Sequence, residues 1–447
     1  MKSRNLLLAL ACIVAFVLAG VLYFKNWVVQ KPFAIILFTG DGLTTSSLAA
    51  TRLYNGGASG KLFVESLPEI ALLKTFASDF GIPDSAAAAS AIASGTPVNN
   101  RSLGIGPERK NLDSLITLAA AAGRKTGLIT NGTLTEPGVA AYYAHTADAT
   151  DGNAIAKQLI QRKDIDLVLG GGEKFFLPVD KGGLREDGTD LVLELKKEKW
   201  GVARTKAELA AVPVWLPGRV FGVFNRDELA FSREIESGSQ EPSLEDMVRT
   251  AIQILQINPK GYFLVVDAGL IEKAGRVNDA ENFLAETVVL DRVIRTAKQY
   301  AGNNTLIIAA GKQNPGGLRM NGYPLRSDSG MAVLGINARG IPSVTWSTGP
   351  NALPTPSPVV APTPAVTPHP EILPSLTVPE PPLPDNLPLP TPPQLAARAR
   401  NEPSTVFSEE SLNVADDPLG FGVGPGSETL HGYKNATAIF SLIANQL

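Results

Sequence analysis

The chain reads as an α/β protein with a doubly wound, mostly parallel central sheet and helices on both faces, preceded by an N-terminal transmembrane helix. Three observations lead there. Short continuous apolar runs, rich in β-branched residues, end at glycines or charged residues. Helical patterns separate these runs, and strands buried on both faces with helices between them signify a parallel sheet. One longer apolar run, Leu6 to Phe24, stands apart at the N-terminus.

That first run follows Lys2 and Arg4 and, at about 1.5 Å per residue, reaches roughly 28 Å, close to the thickness of a bilayer core. Tyr23, Phe24 and Trp27 lie at its downstream border, where an interfacial aromatic belt sits, and the positive flank stays inside. Residues 1–30 therefore read as an uncleaved signal-anchor. It makes a single pass through the cell membrane and leaves the bulk of the chain extracytoplasmic. Val17-Leu18-Ala19 offers a small-residue cleavage site, but the apolar run continues past it. Cys12 is then a small apolar residue of the membrane helix, and the lack of any other cysteine suits an exported protein that does not depend on disulfides.

Residues 31–447 read as one domain. Ala34 to Thr39 is its first strand, ending at Gly40-Asp41-Gly42; Pro83-Asp84-Ser85 opens an Ala-rich helix that runs to Gly95. Leu112 to Ala122 is a helix closed by Gly123, followed by a strand over Thr126 to Thr130. Asp166 to Leu169 is another strand, stopped by Gly170-Gly171-Gly172. Ser243 and Asp246 have the spacing of a capping box. Tyr262 to Val266 and Thr305 to Ala310 are further strands, with a long helical segment from Asp279 to about Tyr300 between them. Residues 346–403 interrupt the domain as a Pro-rich, extended or disordered insertion: Pro350 to Pro393 alone holds half of the chain's 34 prolines. It reads as a spacer or tolerated loop rather than a ligand for a proline-binding module. Folded sequence resumes near Ser404, and Asn435 to Leu447 carries helical spacing at Ile439, Leu442 and Ile443.

Composition narrows the chemistry. The only histidines are His145, His369 and His431, beside the one Cys12, so no histidine-rich or thiolate metal cluster can form within one chain. Any metal chemistry rests on carboxylates. A net charge of -3 gives no footprint for nucleic acid.

In open α/β sheets the functional crevice lies outside the carboxyl ends of the strands. Asp41 ends the first strand, Asp267 follows Tyr262 to Val266, and Lys312 follows Thr305 to Ala310 by one glycine. Two carboxylates and an ammonium thus converge there, unless they are solvated loop charges. Asp84 or Ser85 is either an N-cap, or Ser85 is a nucleophile at a helix N-terminus suited to a phosphate group. Local sequence leaves both open.

The segments Ile36-Leu37-Phe38-Thr39-Gly40-Asp41-Gly42, Pro83-Asp84-Ser85-Ala86-Ala87, Tyr142-Tyr143-Ala144-His145, Gly170-Gly171-Gly172 and Gly424-Pro425-Gly426-Ser427-Glu428 resemble the alkaline phosphatases in order and separation. The resemblance covers most of residues 33–345 and 404–447. It implies a serine that attacks a phosphomonoester, two zinc ions and a magnesium, a phosphate-clamping arginine, a phosphoseryl intermediate and a homodimer. Ser85 falls at the nucleophile position and Asp41 at the carboxylate shared between metals. Asp267 and Glu272 keep carboxylates at two further ligand positions, each with its length changed by a methylene. Elsewhere the pattern departs. Arg276 replaces a zinc histidine, Lys312-Gln313 an aspartate-histidine pair, Asn413 the last zinc histidine, and Ala149 the clamping arginine. Gly138 and Glu136 fall at the magnesium threonine and its companion.

The resulting expectation is a family member with dismantled metal sites, no bound cofactor, and a binding, scaffolding or structural role. Lys312 and Arg276 then replace the metal charge. The alternatives are an active phosphomonoesterase using Ser85 with zinc, or with magnesium or calcium held by Asp41, Asp267, Glu272 and Glu136, and an anion-binding module in which Lys312, Arg276 and the Ser85 helix hold a phosphate. The sequence names no protein partner.

Overall fold

The computed structural model describes residues 2–23, 31–214, 218–321, 334–335, 342–352 and 404–447. Ten strands form the main sheet, in the order Gly432–Asn435, Glu69–Lys74, Leu419–Val423, Thr305–Gly311, Ala34–Gly40, Tyr262–Ala268, Lys125–Thr133, Leu167–Gly171, Val220–Val223 and Gly201–Ala203. The seven from Thr305–Gly311 onward run parallel. Leu419–Val423 is antiparallel to both of its neighbours.

Ala34–Gly40 is central and wholly buried because every residue from Ala34 to Phe38 is apolar. Ile36 and Phe38 join one core with the helices Leu244–Leu255, Gly269–Arg276 and Ala280–Tyr300. Ile35 and Leu37 join another with Ser85–Ser94, Leu115–Ala121, Gly152–Gln161 and Ala438–Ala444. Opposite faces of one strand thus feed two layers of helices, which is the doubly wound arrangement expected.

The local signals hold in detail. Ser243 and Asp246 form a reciprocal capping box. Gly95 closes its helix in the left-handed conformation, φ 71°. The helix expected from Leu112 begins instead at Leu115, since Ser114 caps it by accepting from the Thr117 N–H. The expected strands extend by one to three residues: Tyr262–Ala268 contains Asp267 rather than ending before it.

Strands Glu69–Lys74, Gly201–Ala203, Val220–Val223, Leu419–Val423 and Gly432–Asn435 carry no long apolar run in the sequence, being short or polar on one face. The start of the insertion is corrected. Val344–Gly349 is a strand of a second, three-stranded sheet. Its Trp346 is buried and packs edge-on against Phe283, so the domain continues past residue 346. The Pro-rich stretch itself, with His369, lies outside the described residues.

The N-terminal run is helical over Lys2–Tyr23. Its side chains are described only from Leu10 to Gly20, all exposed, with Cys12 a free thiol among them. Among the described residues no helix is long and apolar enough to cross a membrane. The expected span, Leu6 to Phe24, reaches beyond the residues whose side chains are described, Leu10 to Gly20, at both ends.

Candidate functional site

Three parallel strands deliver the crevice. Ala34–Gly40 pairs with Tyr262–Ala268 so that Thr39 lies beside Asp267, and with Thr305–Gly311 so that Gly40 lies beside Gly311. Asp41 and Lys312 therefore leave adjacent strand ends. Gly42 turns the chain at φ 68°, where a Cβ would stand 2.2 Å from the Phe283 ring. Such a turn, pressed against a ring, admits only glycine.

Lys312 is buried, and its Nζ lies 2.6 Å from Asp267 Oδ1 and 3.3 Å from Asp41 Oδ2. The first contact is a hydrogen bond. The second has ion-pair distance without hydrogen-bond geometry, and among the described residues neither Asp41 oxygen has a hydrogen-bond partner. Asp267 also accepts from Thr39 Oγ1 at 2.8 Å and from Thr130 Oγ1 at 3.4 Å. A Cβ on Gly138 would stand 2.2 Å from Asp267 Oδ2, so glycine at that position admits the carboxylate.

Ser85 is the first residue of its helix, and Asp84 is the N-cap, accepting from the Ala87 N–H at 2.8 Å. The cap is therefore Asp84, and Ser85 is the residue that faces the crevice. Ser85 Oγ donates to Glu272 Oε1 and accepts from Gln313 Nε2 at 2.6 Å and Arg276 Nη2 at 3.1 Å. Arg276 also grips Glu272 Oε1 through Nε at 2.9 Å and Nη2 at 2.5 Å, one helical turn along. Gln313 Oε1 accepts from Asn413 Nδ2, which also donates to the Pro83 carbonyl at 3.0 Å.

The charges settle into two neutral pairs, Lys312 with Asp267 and Arg276 with Glu272. Burial pushes Asp41 well above the usual carboxylate range; Lys312 opposes this, while Glu272 and Asp267 reinforce it. Burial acts against ionised Glu272 as well, but Arg276 and Lys312 hold it at about 2. Burial also opposes charge on Lys312, and is outweighed by Asp267 and Asp41, which hold the ammonium well above its ordinary value. Glu136 is pushed up to about 7, first by burial and then by the Glu272 charge.

The structure brings together Asp41, Ser85, Asp267, Glu272, Arg276, Lys312, Gln313 and Asn413, with Gly138 against them. Ala149 stands apart. It packs on the second core, and its N–H donates to the Arg101 carbonyl at 2.8 Å. His145 binds the Leu112 carbonyl and exposed His431 the Glu428 carbonyl, both away from the crevice. Among the described residues no group of three or more His, Cys, Asp or Glu side chains is placed to hold a metal ion.

Sequence reading missed Thr39, Thr130 and Tyr142. Tyr142 is buried, its hydroxyl has no hydrogen-bond partner among the described residues, and burial followed by the Asp267 charge raises its pKa. Thr39 lies two residues before Asp41 on a strand, a signal that became readable only once the partner strand was known.

A family model described as alkaline phosphatase matches residues 33–340. The tissue-nonspecific alkaline phosphatase isozyme of Gallus gallus is 27% identical over 371 residues, 71% of this chain and 70% of that protein. The alkaline phosphatase of Gadus morhua is 25% identical over 371 residues, 72% and 78% of the two chains. Among solved structures, that of Thermus thermophilus alkaline phosphatase superposes with a TM-score of 0.68 at 20% identity, covering 94% of this chain and 92% of that one. The alkaline phosphatase of the Antarctic bacterium TAB5 gives 0.66 at 21% identity, covering 93% and 98%.

Proposed function

The chain belongs to the alkaline phosphatase family, and within it we propose a membrane-anchored, extracytoplasmic member that has exchanged its metal sites for a lattice of buried ion pairs. Its role is then binding, scaffolding or structural rather than phosphomonoester hydrolysis. One observation carries this reading: the Lys312 ammonium bridges Asp267 and Asp41, the carboxylates a divalent ion would need.

The zinc and magnesium that the family implies do not fit this donor set. An ammonium about 4 Å from a divalent ion is repelled by roughly 8 kcal/mol at an effective dielectric near 20. Arg276 is a second cation, held on Glu272. Gln313 and Asn413 are amides: Gln313 spends both polar atoms on Ser85, Glu272 and Asn413, and Asn413 Nδ2 is spent on Pro83 and Gln313, which leaves only Asn413 Oδ1 without a partner among the described residues. Gly138 has no side chain to offer as a ligand.

The same lattice acts on Ser85. Its hydrogen donates to Glu272 and its lone pairs accept from Gln313 and Arg276. Glu272, held at about 2, is a poor proton acceptor. An oxygen so engaged is a weak nucleophile, because general-base activation needs an acceptor with a pKa near the working pH.

The test is metal content and hydrolysis measured on the same purified chain. The reading expects no stoichiometric zinc or magnesium after dialysis and no aryl phosphate hydrolysis above a Ser85→Ala control. Retained metal with brisk hydrolysis that Ser85→Ala abolishes would establish the active phosphomonoesterase instead.

A further inference from the structure

The opposite end of the sheet, where the parallel strands begin, carries a feature the crevice does not use. Loops leading into Lys125–Thr133, Leu167–Gly171, Gly201–Ala203 and Tyr262–Ala268 place Lys125, Lys163, Lys196, Lys197, Lys199 and Lys260 at this end. Lys125 pairs with Asp166, and Lys163 with Glu198 at 2.9 Å. The other four are exposed and form no ion pair among the described residues. Of the acidic residues here, Asp164 holds Arg162 and Glu198 also takes Arg219, while Glu194, exposed on the helix that carries Lys196 and Lys197, forms no ion pair among the described residues. Four exposed lysines without an ion pair among the described residues thus share this end of a chain whose net charge is -3.

The polypeptide enters the domain at this same end. Arg124, nearly buried, donates to the carbonyls of Pro32, Phe33 and Gln446, which fixes the entry point against the C-terminal helix. Ile257 and Tyr300, 50% and 46% exposed, close two helices here. From the entry strand to Gly201–Ala203 there are five strand steps, about 24 Å at a spacing near 4.8 Å. The cations form a broad end face rather than a point.

We propose that this end face docks on the anionic headgroups of a bilayer, seating the domain flat beside its anchor. The lysines supply the attraction, and Ile257 and Tyr300 an apolar edge at the interface. Docking in this way sets the direction of the crevice. Ala34–Gly40 rises about 20 Å at roughly 3.3 Å per residue, so Ser85 and Lys312 open on the side away from the lipid. Whatever the crevice binds approaches from the aqueous side. The inference rests on the anchor reading, but the two fail separately.

The full chain would be reconstituted in phosphatidylcholine vesicles, and in vesicles with about one third phosphatidylglycerol, and its lysines labelled with an amine-reactive reagent. Retention in pure phosphatidylcholine during flotation reports the anchor alone. Docking predicts at least about fivefold lower labelling of Lys196, Lys197, Lys199 and Lys260 in the anionic vesicles, reversed by high salt, with Lys110 unchanged. In the Lys197→Glu, Lys199→Glu, Lys260→Glu variant, Lys196 should lose its lipid-dependent protection while flotation is kept. Equal labelling in both vesicle types would overturn the proposal. So would equal protection by a soluble polyanion without lipid, which would assign the face to an acidic polymer.

Discussion

Replacing Lys312 by methionine removes the buried ammonium and keeps most of its volume. Contacts of 2.6 and 3.3 Å correspond to about 6 and 5 kcal/mol of attraction at an effective dielectric near 20, before the cost of dehydrating the charges. Burial works against charge on Asp41 and so weakens the second contact, which leaves Asp267, hydrogen-bonded to Lys312, as the partner that matters. Stranding one member of a buried pair costs about 3–5 kcal/mol. For a domain of this size, with about 2.1 cal/mol/K of unfolding entropy per residue, that lowers Tm by about 4–7 °C. Thermal unfolding at neutral pH reads the change. Asp267→Asn and the double variant complete a cycle, in which the double loses less than the sum of the singles by about 2–3 kcal/mol. An Lys312→Met protein as stable as its parent would refute the ion-pair argument. Strictly additive losses would refute it too, since Lys312 would then act as packing and not as charge.

Restoring Lys312→Asp, Gln313→His, Arg276→His and Asn413→His together should create zinc-dependent stabilisation, seen as a Tm that rises with zinc concentration; no zinc response would show that the crevice geometry itself has closed to metal. Ser85→Ala should cost only about 1 kcal/mol, because Glu272, Arg276 and Gln313 can still satisfy one another; urea unfolding would contradict this with a loss several times larger. Asp84→Ala removes acceptors for the Ala87 N–H and, at 2.6 Å, the Arg101 N–H, and should destabilise by about 1–2 kcal/mol, so an unchanged midpoint would count against the cap. Glu136 holds its proton up to about 7 when folded, against 4.5 when unfolded, so stability should fall as pH rises through that window. Glu136→Gln should flatten that slope in a Tm-against-pH series, and parallel curves would exclude Glu136 as its source.

The strands that build the crevice were legible because they are buried on both faces. Ala34–Gly40, Tyr262–Ala268 and Thr305–Gly311 show up as unbroken apolar runs, whatever lies beside them. Glu69–Lys74, with alternate residues exposed, and Gly432–Asn435, mostly exposed, gave no such signal. Trp346 illustrates the limit in the other direction. A tryptophan near a proline-rich stretch reads as part of it, and only its packing on Phe283 assigns it to the core.

The sequence by itself determined which residue types reach the crevice: a lysine, an arginine and amides where the family resemblance implies metal ligands. Order along the chain, with the rule that crevices form at strand ends, was enough for that. What the charges do to one another was decided only by the fold. Whether Lys312 faces Asp41 or Asp267 depends on strand order and register, since a one-residue slip turns a side chain to the other face of the sheet. The burial of Asp41 beside Lys312, the three-way bonding of Ser85 and the room that Gly138 leaves for Asp267 all arise from distances of a few ångströms between segments far apart in sequence. Coulomb and desolvation energies change steeply over that range, and no pattern along the chain encodes them.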